Sequence, residues 1–278
     1  MCFDHPMIPA ATRMGAVHLT VSDLARSLEY YEGAIGLRVL SRDDGRASLG
    51  GDEELLVLVE QPGAPSARGH TGLFHVALLV PSRGDLANWL AHSVRDRVPL
   101  TGASDHAVSE ALYLRDPDEH GLEIYADRPR ELWEGRVFEL MTTEPLDANG
   151  LLAEADEDGF TGLPDGTRVG HVHLCVSEIP ETIAFYRDTA GFDLVAALGP
   201  EAAFLSAGGY HHHIGANTWE SRGRGRAPEG SASLRHATVV LPSRDERDAL
   251  ADRLGAVESE HGPLAHDPSG NALVLAHA

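Results

Sequence analysis

Histidine is the residue through which this chain most directly offers chemistry. Its 278 residues include 16 histidines, spread through the interior rather than gathered at a terminus. Interior imidazoles suit metal ligation and acid/base work, because the ring titrates near neutral pH. Four of them, His18, His75, His173 and His236, occupy matching positions in similar segments. Three more run consecutively as His211, His212 and His213, between Gly208-Gly209 and Ile214. In an extended segment, alternation turns one or two of those three inward. Glu123 interrupts the apolar run of GLEIYAD. Strand neighbours alternate faces, so Leu122 and Ile124 share one face and Glu123 points to the other. That face must tolerate a carboxylate, and a metal ion is one way to do so. Tyr113 lies shortly before Glu123, two strand-lengths back along the sequence.

These residues need elements to position them, and internal repetition supplies the plan. VHLTVSDLARSLEYYEGAIGLRVL, from Val17, aligns with VHLCVSEIPETIAFYRDTAGFDLV, from Val172. His18 falls on His173, Tyr31 on Tyr186 and Gly36 on Gly191. FHVALLVPSRGDLANWLA, from Phe74, aligns with RHATVVLPSRDERDALAD, from Arg235, with His75 on His236. Each segment begins as a strand of alternating apolar residues such as Val17, Leu19 and Val21. Ser22 and Ser177 are expected helix N-caps, each followed by an acidic residue. Gly36 and Gly191 stand where a C-terminal cap belongs. Further strands follow, the last two joined in the second and fourth units by turns built on Asp116-Pro117 and Asp267-Pro268. The expected fold class is α+β, with four βαβββ repeats paired into two cupped mixed sheets. The units are placed at 14–62 and 72–127 in an N-terminal half, 1–127, and at 168–220 and 233–278 in a C-terminal half, 168–278. The stretch 128–167 reads as a linker carrying a short helix.

Composition narrows the partners. A formal charge of −21 repels phosphate backbones and anionic lipid, so neither nucleic acid nor membrane is expected. The two cysteines, Cys2 and Cys175, provide no disulfide framework and fit a reducing cytosol. No signal peptide is visible at the N-terminus, and no apolar stretch is long enough to span a bilayer. A cytoplasmic protein with a small substrate is expected. Homo-oligomer formation is left open.

With the repeats, the first-strand histidines and DPDEHGLEIYAD in view, the chain resembles the vicinal-oxygen-chelate superfamily of glyoxalases, bleomycin-resistance proteins and extradiol dioxygenases. GLFHVALLVP, DHAVSEALYLRDPDEHGLEIYADRP and GGYHHHIGANTW are most similar to its bacterial catechol 2,3-dioxygenase branch. The resemblance covers nearly the whole chain. It implies that two paired units hold one divalent metal, with ligands from their first and last strands. Two imidazoles and one carboxylate would leave open positions on Fe(II) for a bidentate diol and dioxygen, and Mn(II) suits the same set.

On that basis Glu123 and His75 are the first two ligands. The fourth unit has Val274 where the second has Glu123, and Glu60 lies at the very end of its strand. The third ligand depends on pairing: His18 if the first and second units pair, His173 if the second and third do. The latter brings GGYHHHIGANTW and Tyr113 to the same cavity and is preferred. The resemblance then implies ring cleavage of a catechol or substituted catechol by O2, as in aromatic compound degradation. His212 or His213 would serve as acid/base, and Tyr113 would donate a hydrogen bond to a substrate oxygen. The competing readings are a glyoxalase-like lyase or isomerase on the same fold and a protein that sequesters small molecules without catalysis.

Overall fold

The computed structural model describes residues 7–156 and 159–278; Cys2 and the first part of the N-terminal stretch lie outside them. The first unit contains β1 (Arg13–Val21), α1 (Leu24–Tyr30), β2 (Arg38–Asp43), β3 (Arg46–Gly50) and β4 (Glu54–Glu60). The second contains β5 (Gly72–Leu79), α2 (Arg83–Asp96), β6 (Gly102–Asp105), β7 (Ser109–Arg115) and β8 (Gly121–Asp127). The connection that follows holds α3 (Val137–Leu140), the short β9 (Glu144–Pro145) and α4 (Ala148–Leu152). The third unit has β10 (Arg168–Cys175), α5 (Ile179–Ile183), β11 (Asp193–Leu198), β12 (Ala202–Ser206) and β13 (Ile214–Asn217). The fourth has β14 (Leu234–Leu241), α6 (Arg244–Leu254), β15 (Val257–Ser259), β16 (Gly262–His266) and β17 (Ala272–His277).

The units pair out of sequence order. The first and fourth form one sheet, β15-β16-β17-β14-β1-β4-β3-β2. The second and third form the other, β11-β12-β13-β10-β5-β8-β7-β6-β9. In each, the two first strands meet antiparallel at the centre, β1 on β14 and β5 on β10. Each first strand also runs parallel to the last strand of its own unit.

Period-two patterning assigns the faces. Val76, Leu78, Leu122, Ile124, Val172 and Leu174 are fully buried and join the main core. Burying each contributes roughly 1.5–3 kcal/mol. The alternate positions carry the polar residues to the opposite face of the sheet. The helices pack on the apolar side; Trp89 of α2 is fully buried there and donates its indole N–H to the Ile35 carbonyl at 3.1 Å.

Local signals were shifted by one residue at two caps. The N-cap of α1 is Asp23, whose carboxylate accepts from the Arg26 N–H, and that of α5 is Glu178. Ser22 instead donates to Asp118 in the second unit. The C-terminal glycines behave as their type requires: Gly36 and Gly191 have φ of 86° and 93°, in the left-handed region. Both first-type helices end in a π-helical turn, Tyr31–Ile35 and Ala184–Thr189.

The matched tyrosines on those turns explain the matched Asp-Pro turns. Tyr31 donates to Asp116 at 3.0 Å, and Tyr186 to Asp267 at 3.3 Å. Asp116 also accepts the backbone N–H groups of Asp118 and His120 and the His120 ring. Asp267 accepts the N–H groups of Ser269 and Asn271 and the Asn271 amide. The first and second units, and likewise the third and fourth, lie in different sheets and are therefore tied together through a buried carboxylate. Burial pushes the Asp116 carboxyl up, but His120 beside it more than offsets this and leaves it below its usual value.

Candidate metal centre and cavity

Register across the second sheet decides which side chains meet. His171 of β10 lies opposite Ala77 of β5. Ala77 lies beside Glu123 of β8, and Glu123 opposite Tyr113 of β7. The next row pairs His75 with His173, and His173 with Gly215. All share one face, because positions two apart on a strand point the same way. The methyl of Ala77 leaves room between His171 and Glu123, and the longer ring of His75 reaches into that gap.

The result is a buried convergence of ligand atoms. Nε2 of His75 lies 2.9 Å from Oε2 of Glu123, and Nε2 of His171 lies 3.2 Å from the same oxygen. The two ring nitrogens are 3.3 Å apart. Glu123 is only 2% exposed. These three residues form one of two groups among the described residues whose donor atoms could hold a metal ion.

His75 and Glu123 thus meet as the sequence suggests, while the third corner is filled by His171 and not by His173. His173 is buried next to them, its ring 5.0 Å from that of His75 and packed against Phe74 and Trp219. Gly215 makes this possible: a Cβ there would lie 2.8 Å from Nδ1 of His173. His18, the alternative third ligand, lies in the other sheet, opposite His236.

The electrostatics suit a cation. Burial pushes the Glu123 carboxyl up, but the neighbouring imidazoles of His171 and His75 outweigh it and hold the group well below the usual carboxylate range. Burial lowers His171 to about 4, so this ring is neutral at physiological pH and offers a lone pair. Among the described residues, the ion-pair partners of Glu123 are the two histidines alone. An ionised carboxylate buried without a full counter-charge costs several kcal/mol. A divalent metal between these donors removes that cost and satisfies the ring nitrogens together. The set therefore fits a divalent metal, with one carboxylate and two imidazoles.

A cavity of about 730 Å³ opens onto the three residues. This lies within the usual range for a small-molecule site. Phe74, Leu198, Phe204, Met141 and Trp219 supply apolar walls. His212 faces this cavity, its ring 4.0 Å from that of His171. Burial holds His212 well below its ordinary value, with the surrounding imidazoles adding to the effect. Its Nδ1 lies 2.8 Å from Nδ1 of His211, whose Nε2 in turn contacts Asp127 at 2.9 Å. His213 has a different setting. Its Nδ1 accepts the Ala207 backbone N–H at 3.1 Å, and it is not among the cavity-lining residues.

Tyr113 lines the cavity and has a partner that sequence reasoning missed. Its hydroxyl lies 2.7 Å from Nε2 of His106, whose Nδ1 lies 2.7 Å from the Thr142 carbonyl. A carbonyl can only accept, so Nδ1 carries the hydrogen. In the tautomer that carries its single ring hydrogen on Nδ1, Nε2 accepts from the tyrosine hydroxyl. The remaining lone pair of Tyr113 is left for the cavity. The only sequence signal for His106 is its place seven residues before Tyr113, which spans a hairpin turn.

Residues 13–124 and 168–274 match the family described as Glyoxalase/Bleomycin resistance protein/Dioxygenase superfamily. Catechol-2,3-dioxygenase of Bacillus subtilis (strain 168) is 43% identical over 277 residues, covering 95% of this chain and 96% of the relative. Among solved structures, glyoxalase I from Zea mays has a TM-score of 0.59 at 16% identity, over 95% of this chain and 92% of its own. The cppA protein from Streptococcus pneumoniae TIGR4 has a TM-score of 0.55 at 10% identity, over 96% and 99%. At these identities the structural likeness concerns the fold alone. Among the described residues, no helix is long and apolar enough to cross a membrane.

Proposed function

We propose that this chain, which belongs to the glyoxalase/bleomycin resistance protein/dioxygenase superfamily, is an extradiol dioxygenase that opens the ring of a catechol with O2. The observation that carries this reading is the buried His75, His171 and Glu123 set, which faces an apolar cavity with His212 and Tyr113 at its wall. The 43% identity to a catechol-2,3-dioxygenase supports it. Overall, one catechol and one O2 combine into one ring-opened hydroxy-semialdehyde acid. Both oxygen atoms are retained, and no outside reductant is needed.

His75, His171 and Glu123 would hold Fe(II), with Mn(II) suited to the same donors. When bound, such an ion supplies acidification of the diol hydroxyls and a path for electrons between ring and oxygen. The chain's own groups do the rest. Glu123 balances part of the added charge. The apolar walls exclude water and hold a flat ring. Tyr113, with its proton directed to His106, presents a lone pair that accepts a hydrogen bond from a substrate hydroxyl. This reverses the donor role expected from the sequence. His212, held neutral by burial, can take up a proton beside the reacting carbon and oxygen atoms and return it when the ring opens.

A lyase on the same fold would favour two carboxylates among its ligands, and Glu123 is the one acid in this set. The test is anaerobic reconstitution with Fe(II), followed by catechol and air-saturated buffer. A yellow ring-fission product is expected, with one O2 consumed per catechol. Stable iron binding with no O2 uptake, across several substituted catechols, would overturn the reading.

A further inference from the structure

The other sheet holds a second histidine cluster that ring cleavage does not use. His18 of β1 and His236 of β14 are register partners, and their rings lie 3.9 Å apart. His261, in the turn between β15 and β16, places its ring 5.0 Å from His18 and 4.8 Å from His236. One nitrogen from each ring lies within 4.8 Å of the others. His18 and His236 are buried, and His261 is partly exposed at the rim. Nδ1 of His18 is buried without a hydrogen-bond partner.

We propose that His18, His236 and His261 form a second metal site, separate from the catalytic one and selective for a Zn(II)-type ion. The repeat explains both the likeness and the difference. His18 and His236 hold the positions that His173 and His75 hold in the other sheet. The position of Glu123 is taken by Val274, opposite Thr238 as Glu123 is opposite Ala77. By the same alignment Ala16 stands where His171 does. The carboxylate and one imidazole of the first centre are therefore missing, and a histidine from a hairpin turn supplies the third donor.

Three imidazoles with an open fourth position suit Zn(II), whose sites accept nitrogen donors in tetrahedral geometry. Burial, and then the field of His236 on His18 and of His261 on His236, keep His18 at about 3 and His236 at about 4, so both offer lone pairs. Arg46 and Arg235 add positive charge nearby, so the fourth position calls for an anion. Glu260 places a carboxylate 3.4 Å from Nε2 of His261, a first source of negative charge. The ion would pin the β15–β16 hairpin to the central strands β1 and β14. It would act on stability and leave the diol cavity alone.

The test is a metal count on the full chain. Metal-free protein is titrated with Co(II), a spectroscopic stand-in for Zn(II), and the visible absorption and bound cobalt are followed after desalting. Two equivalents are expected for the parent chain. One is expected for His261→Gln, whose turn position spares the core, and for His236→Ala. His261→Gln should retain its ring-cleaving activity after iron loading. A parent count no higher than that of both variants would overturn the proposal, whatever the parent's total. This count does not depend on the catechol assay, so failure of the dioxygenase reading would leave it standing.

Discussion

His171→Ala is expected to strip the protein of iron, whereas His173→Ala should keep it. The two histidines are neighbours on one face of β10, yet only His171 brings Nε2 to 3.2 Å from the Glu123 carboxylate. Losing a hydrogen-bonding neighbour of a metal ligand typically weakens affinity by roughly 10–100-fold, and removing a ligand outright should exceed that. Iron after desalting should fall from about one per chain to a trace in His171→Ala, and ring cleavage with it. In His173→Ala the carboxylate and the imidazoles of His75 and His171 remain. What goes is a ring packed between Phe74 and Trp219. That loss should appear as a higher KM at near-normal iron content. Elemental analysis and steady-state kinetics on the same samples separate the two effects.

The next largest effect is expected at the histidine triplet, and it should differ sharply between neighbours. His212→Ala removes the imidazole that faces the cavity beside His171. General acid–base groups contribute about 10²–10⁴-fold, so kcat should fall by that order with iron retained. His213→Ala acts elsewhere. It leaves the Ala207 N–H without its acceptor, which costs about 1–3 kcal/mol when the donor stays buried. Its midpoint in denaturant should drop while turnover per folded, iron-loaded molecule stays near normal. Equal losses of turnover in the two variants would remove His212 from its assigned role.

The fold was more legible than the site, for physical reasons visible in single residues. Repetition exposed the units, because Tyr31 and Tyr186, and Asp116 and Asp267, do the same structural work in each pair. The faces of β8 followed from period two: Leu122 and Ile124 entered the core and Glu123 the cavity. That same period could not separate His171 from His173, which share a face. Repeat alignment pointed to His173 because it matches His18. Which of the two shares the row of Glu123 is set by register against the neighbouring strand, where β10 shifts between Val169 and His171 and again between His173 and Leu174. Such irregularities leave no clear mark in one strand's pattern. His106 was hidden for a related reason, since its tie to Tyr113 closes across a hairpin. The shifted cap at Asp23 reflects Ser22 being engaged by Asp118, a contact 96 residues away.

Iron-edge anomalous diffraction from crystals grown with Fe(II) tests the central claim most directly. The expected result is a peak within bonding distance of Nε2 of His75, Nε2 of His171 and the carboxylate of Glu123, with His173 outside the coordination shell. A peak bonded to His173 in place of His171, or no iron in this cavity when the crystals cleave catechol, would contradict it.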